Sequence, residues 1–345
     1  MASMLSFLLV IGICVIAHEF GHYITARLLD VQVHEFAFGM GPVILQRRGK
    51  HQTLWSLRAF PVGGFVRLAG MEEESEDEKI EPGKAFYDKE AWKRFLILVN
   101  GSVANILLAL LLTVIFLSGH GVVNLDETVI GEVMEGYPAQ AAGILPGDRI
   151  LSVNGAAVET WRAMSSEIRK EAIKGPVLFS VRRGESHLSI STEIPPDREQ
   201  GIPLFGIRPG MKKYPLGDAF SSALSYTLNM SVEMIRGIIR WISGTEKVDI
   251  TGPVGIASMA GEAARKGIWT FLSFLALINL NLGLINLLPF PALDGGRLFF
   301  TAGEMVLRRR LPSRIENYIH MAGFFLLIAL ILYITWQDVL RLFRS

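Results

Sequence analysis

Four apolar stretches punctuate the chain: Met4 to Leu29, Phe95 to Ser118, Ile268 to Leu288 and His320 to Trp336. Each is roughly 20 residues long, enough to cross a bilayer as a helix. Between them the pattern changes. Val43 to Gln46 and Thr53 to Leu57 flank a polar turn, Arg47 to Gln52, with Gly39, Gly41, Gly63 and Gly64 at the ends, which predicts β-hairpins. Further on, Val129 to Met134, Arg149 to Val153 and Val177 to Arg182 predict strands, and Trp161 to Ile173 a helix. Phe220 to Ser243 repeats apolar residues at helical spacing, with Arg236 and Arg240 on the other face. It is too polar to span and predicts an amphipathic helix on the membrane surface.

These elements predict a polytopic α-helical membrane protein of about four transmembrane helices, with a membrane-associated β-hairpin sheet and one soluble α+β domain. The expected division is 1-30 for the first membrane helix, 31-94 for hairpin and loop, 95-118 for the second helix and 119-198 for the soluble domain. Residues 199-267 then hold the amphipathic helix, 268-291 the third membrane helix, 292-319 a turn and basic loop, and 320-345 the fourth helix. The first stretch has no basic segment before it and no A-x-A-like cleavage site after it, so a retained helix is expected rather than a signal peptide.

Composition agrees. Half of the 345 residues are hydrophobic, 19% are charged and the mean hydropathy is +0.36. A net charge of +1 gives no sign of a nucleic-acid partner. The placement of charge says more. Residues 27 to 94 carry eleven Lys or Arg and the first 26 carry none, so the positive-inside rule puts this loop in the cytoplasm and the N-terminus outside. By alternation the soluble domain lies outside, the loop with Arg297, Arg308, Arg309, Arg310 and Arg314 inside, and the C-terminus outside; Arg341 and Arg344 run against the rule. The acidic run Met71 to Lys84 reads as a solvated loop, and the lone cysteine, Cys14, excludes a disulfide framework.

The candidate chemistry sits in the first apolar stretch. His18-Glu19-Phe20-Gly21-His22 is an H-E-x-x-H motif, and on a helix the i, i+4 spacing sets both imidazoles on one face, one turn apart. Two neutral imidazoles there can bind one metal ion, and Glu19 can take a proton from a water held beside it. Three such residues within lipid are costly unless they pair or bind something. An ion path of a transporter would also use intramembrane His and Asp, but it gives Glu19 no reason to stand beside His18.

Zinc hydrolases generally have three protein ligands, so another is needed. Asp294 is the candidate: it ends Asn286-Leu287-Leu288-Pro289-Phe290-Pro291-Ala292-Leu293, where two prolines break the third helix and Gly295-Gly296 permit a tight turn. Imidazole and carboxylate suit several divalent ions, and the motif selects Zn²⁺, one per chain. His34, His51, His120, His187 and His320 stand outside any metal-ligand spacing and read as surface or packing residues.

H-E-F-G-H in the first helix, Gly101-Ser102-Val103-Ala104-Asn105 in the second, Thr251-Gly252-Pro253-Val254-Gly255-Ile256-Ala257 before the third, and the Asn-Leu-Leu-Pro-x-Pro-x-Leu-Asp-Gly-Gly run together resemble the site-2 protease family, in its bacterial branch that regulates sigma-E. Gly136 to Gly143 and then Leu145 to Gly155 resemble a PDZ domain, with room for one rather than the tandem pair of some relatives. The resemblance implies a zinc metalloendopeptidase of the bacterial cytoplasmic (inner) membrane, with its active site toward the cytoplasm. It would cleave single-span membrane proteins in or near their transmembrane helix, as in anti-sigma factor or signal-peptide remnant cleavage. It also implies that Asn281 and Asn286 contact the substrate or the oxyanion, roles that interhelical hydrogen bonding would equally explain. Gly63 and Gly64 would belong to a β-element that holds substrate as an added strand, and the PDZ domain would bind a peptide or substrate terminus. A compact spacer is the other use of such a domain.

Overall fold

The computed structural model describes residues 2–71, 79–196, 203–245, 251–309 and 312–344, so half of the acidic run Met71 to Lys84, with six of its seven acidic residues, lies outside the described residues. Along the chain, α1 (Ala2–Leu28) is followed by strands β1 (Val33–Arg48) and β2 (Leu54–Leu68), a 3-10 turn at Phe86–Asp88 and α2 (Ala91–Gly119). Then come β3 (Val122–Val123), β4 (Ile130–Val133), α3 (Pro138–Ala141), β5 (Arg149–Val153), β6 (Ala156–Ala157) and α4 (Trp161–Ala172). They are followed by β7 (Val177–Arg183), β8 (Ser186–Thr192), β9 (Ile207–Pro209) and β10 (Met211–Lys212). The chain closes with α5 (Leu216–Ile242), α6 (Pro253–Arg265), α7 (Ile268–Asn286), α8 (Asp294–Leu307) and α9 (Ser313–Arg344). It divides into two compact units, 1–116 with 220–345, and 117–219.

Among the described residues of the first unit, α1, α2, α7 and α9 are the helices long and apolar enough to cross a membrane. A helix satisfies its own backbone groups, as lipid requires. Small residues let these helices touch: a Cβ on Gly21 of α1 would fall 2.1 Å from the Asn100 carbonyl of α2, and one on Gly283 of α7 would fall 3.0 Å from the Ser102 carbonyl. One core joins Val10, Cys14, Leu112, Ala260, Phe271 and Leu275, so α6 packs into the bundle beside α1, α2 and α7. A second joins Ala26, Val33, Leu68, Ile97 and Leu298 and so ties the sheet to α1, α2 and α8. Asp338 of α9 accepts the Gly252 and Gly255 N–H groups at 3.3 and 2.9 Å, a carboxylate on the open N-terminus of α6.

The hairpin is more elaborate than its sequence pattern. Phe36 lies opposite both Val66 and Trp55, and Phe38 opposite both Gly64 and Leu57, while Val43 pairs with Arg58 and Arg48 with Leu54. Each strand therefore folds back on its partner through bends at Gly39, Gly41 and Gly63, all at positive φ. Buried Glu35 accepts hydrogen bonds from Ser56 Oγ and from Arg58 Nη2 at 2.7 Å, a pairing that fixes the register. The far end exposes Met40, Ile44, Leu45 and Phe60, each more than half accessible, an apolar patch suited to lipid.

Three elements depart from the pattern-based reading. Gly295-Gly296 is the first turn of α8 rather than a free turn: Cβ atoms there would fall 1.9 Å from the Leu288 carbonyl oxygen and 2.7 Å from that of Phe290, so the glycines serve close packing. The helix α9 starts at Ser313, seven residues before the apolar stretch. Met230 and Met234 of α5 pack against Ala109, Leu280 and Leu284, so this amphipathic helix has a protein-facing stripe.

The second unit holds a four-stranded sheet, β6-β5-β7-β8, with two short pairs, β4-β9 and β10-β3. Those pairs carry the unit past residue 198 to Lys212. Ile150, Met164, Ile168, Phe179 and Phe205 build its core. Asp148 fixes the run that enters β5: it accepts the Leu145 N–H at 2.9 Å and two Arg183 N–H groups at 2.7 Å. Burial alone would raise the Asp148 carboxyl, but the Arg183 and Leu145 hydrogen bonds and the guanidinium charge outweigh it and hold it below its ordinary value. A depressed folded-state value gives stability that is present above the unfolded value of about 3.9 and is lost as pH falls through the folded one. Protection of β5 and β7 amides from hydrogen exchange, corrected for the intrinsic rate, should therefore fall below about pH 4. Asp148→Asn should cost about 1 to 2 kcal/mol at neutral pH, allowing for screening of the part-exposed Arg183, and flatten that dependence.

Candidate metal centre

The segment α1 carries His18 and His22 one turn apart, both buried. Asp294 enters from the other side. Pro289 and Pro291 end α7, Ala292 takes a positive φ of 79°, and the chain re-enters as α8 with Asp294 as its first residue. Asp294 Oδ2 lies 2.8 Å from His18 Nε2 and 3.0 Å from His22 Nε2, and the two Nε2 atoms are 3.1 Å apart. A tetrahedral ion with bonds of 2.0–2.1 Å holds neighbouring ligands about 3.3 Å apart, so the triangle is close to the size of one metal site. Among the described residues this is the group of His, Cys, Asp or Glu side chains that could hold an ion.

Orientation fits as well. His22 Nδ1 donates to the Ile97 carbonyl at 2.8 Å, which places the proton on Nδ1 and leaves the Nε2 lone pair facing His18 and Asp294. His18 Nδ1 lies 3.5 Å from Asn286 Nδ2. A half-turn of that carboxamide presents its oxygen as an acceptor and gives His18 the same tautomer. Two imidazoles with inward lone pairs and one carboxylate are a donor set for a borderline-soft divalent ion.

Glu19 stands beside the triangle and takes a backbone hydrogen bond from Val66 of β2. Both line a cavity of about 470 Å³, together with His18, His22 and Asp294. Phe65 and Leu68 continue that wall, so a strand runs along the site. Gly63 and Gly64 lie next to it in sequence but off the cavity wall; a Cβ on Gly64 would fall 2.8 Å from the Ala37 carbonyl oxygen. The structure brings Asn286 to His18 and leaves Asn281 on an exposed face of α7.

Some residues of this centre escape a reading for ligands. A Cβ on Gly101 would fall 2.3 Å from His22 Nε2 and 2.9 Å from His18 Cε1, so α2 lies against the imidazoles only because glycine stands there. Arg297 and His320 also line the cavity. An ionisable residue heading an apolar span, as His320 does, is the signal that marks it.

An H-E-x-x-H helix met by a carboxylate inside an apolar bundle, able to hold a metal ion, is the arrangement of a membrane-embedded metalloprotease. The family described as Peptidase family M50 matches residues 6–330, and the chain belongs to that family, the site-2 proteases. Curated relatives match end to end. A zinc metalloprotease, RasP, of Geobacillus kaustophilus is 30% identical over 99% of this chain and 98% of its own. A putative zinc metalloprotease of Clostridium acetobutylicum is 32% identical over 96% of each, and a probable protease, eep, of Enterococcus faecalis is 27% identical over 99% and 100%. Among solved structures, the PDZ domain of an SdrC-like protein from Listeria monocytogenes matches 25% of this chain and 90% of its own at 23% identity, with a TM-score of 0.21.

Gly101→Ala should displace both imidazoles. Metal content measured by mass spectrometry should fall well below that of the native protein while helix content by circular dichroism stays unchanged.

Proposed function

We propose that the chain is a zinc-dependent intramembrane endopeptidase that hydrolyses a peptide bond in or near the transmembrane segment of single-span membrane proteins. The observation that carries this is the meeting of His18, His22 and Asp294 beside Glu19 in a cavity flanked by a strand. The donor set and the names of the relatives support zinc, one ion per chain held by those three side chains. Bound there, zinc supplies the Lewis acid that polarises the scissile carbonyl and makes water nucleophilic near neutral pH.

The residues of this chain do the rest. Glu19 takes the proton from the attacking water and returns it to the leaving nitrogen, and the Val66 N–H holds its carboxylate in place. With its carboxamide turned, Asn286 orients His18 by accepting from Nδ1 through Oδ1. The β2 segment beside the cavity offers main-chain groups to an unwound substrate, whose freed amides and carbonyls need partners in lipid. The exposed apolar end of the hairpin supports contact of the sheet with the bilayer.

The charge bias supports a cytoplasmic hairpin, with the N-terminus and the second unit outside and the active site toward the cytoplasm of a bacterial inner membrane. The second unit is read as a PDZ domain that takes a peptide or a substrate terminus, on the strength of its Leu145 to Gly155 run. The substrates in this reading are anti-sigma factors or signal-peptide remnants. The test is co-expression with tagged single-span proteins. Glu19→Gln should reduce cleavage at least about a hundredfold with zinc retained, whereas Asp294→Asn should lower zinc content and cleavage together. Equal cleavage by native and Glu19→Gln proteins would overturn the mechanism.

A further inference from the structure

The cavity has a wall that this mechanism leaves without a task. His320, on α9, is 9% exposed and shares the cavity with the metal-site residues. Its Nδ1 accepts the Ala292 N–H at 3.2 Å, so the neutral ring carries its proton on Nε2. That Nε2 has no acceptor among the described residues, and neither has Nη1 of Arg297, which lines the same cavity. A buried donor without an acceptor is costly and persists where something else satisfies it.

The ring is also fixed. A Cβ at Gly296 would fall 3.1 Å from His320 Cε1, and Phe300 meets the imidazole edge to face at 6.0 Å between centroids. The Ala292 N–H that His320 holds belongs to the turn that delivers Asp294. Around these donors the cavity is lined by Phe65, Leu68, Met71 and Phe324, apolar groups that accept nothing, and by the carboxylates of Glu19 and Asp294, which the mechanism already uses.

We propose that His320 Nε2–H, with the Arg297 guanidinium, binds main-chain carbonyl oxygens of the substrate segment lying in the cavity. The ligand class follows from the donors. A transmembrane segment unwound for cleavage exposes carbonyls that have lost their i+4 amides, with no water in the bilayer core to replace them. Two fixed donors beside the metal site satisfy such carbonyls and hold the chain extended, whereas an apolar wall would leave them bare. This inference rests on the zinc-peptidase reading of the site.

The test uses two zinc-binding probes on the full-length protein in detergent with Glu19→Gln as background, so that nothing turns over. Acetohydroxamate reads the metal alone, and a peptidyl hydroxamate reads the metal together with main-chain recognition. His320→Asn, whose Oδ1 keeps an acceptor for the Ala292 N–H while its side chain stops short of the Nε2 position, should weaken the peptidyl probe by about tenfold, leaving acetohydroxamate affinity and zinc content unchanged. His320→Gln, which keeps an N–H at the same reach, should restore most of the loss. Arg297→Met should act selectively on the peptidyl probe too, and it keeps the proposal testable should His320→Asn not fold. Equal weakening of both probes, or loss of zinc, would assign His320 to support of the metal turn and overturn the proposal, as would unchanged peptidyl affinity. Failure of the unsubstituted background to bind either probe would instead overturn the zinc-peptidase reading.

Discussion

Two imidazoles and a carboxylate placed in an apolar helix bundle are tolerable only because they meet one another around a common point. The rest of the first unit is arranged to allow that meeting. Gly21 and Gly101 let α1 and α2 approach until the Ile97 carbonyl reaches His22. Pro289 and Pro291 stop α7, and Gly295 and Gly296 let α8 begin against the carbonyls of the broken segment. A larger residue at any of these glycines would disturb the meeting of these three side chains, so backbone proximity here has a chemical purpose.

The sheet extends the same logic from metal to substrate. Its doubled register places β2 along the cavity and the Val66 N–H on the Glu19 carboxylate. Glu19, the His18–His22–Asp294 triangle and the β2 strand thus line one cavity. His320 and Arg297 line the same cavity and contribute donors. A peptide lying in that cavity would meet hydrogen-bonding groups from both the strand and these donors, which an unwound segment in lipid requires.

Much of this centre is legible in the sequence because its chemistry is local. His18, Glu19 and His22 lie within one helical turn, and the proline-broken run points to Asp294 as the carboxylate that completes the set. The four apolar spans are legible for the same reason, since lipid imposes a length and a composition. What escapes depends on distant partners. Gly295-Gly296 reads as a turn because glycine marks turns and close helix packing alike. His320 reads as packing because Ala292 and Arg297 become its neighbours only in three dimensions. The capping of α6 by Asp338, 83 and 86 residues further along, and the fold-back of β1 on β2 are likewise products of tertiary structure.

The central claim is that one zinc ion is held by His18, His22 and Asp294. X-ray absorption at the zinc edge of the metal-loaded protein measures this most directly. The account predicts four-coordinate zinc with two imidazole nitrogens and oxygen ligands at 2.0–2.2 Å, losing its imidazole scattering when His18 and His22 are replaced together. An all-oxygen shell, or a spectrum unchanged by that replacement, would contradict it.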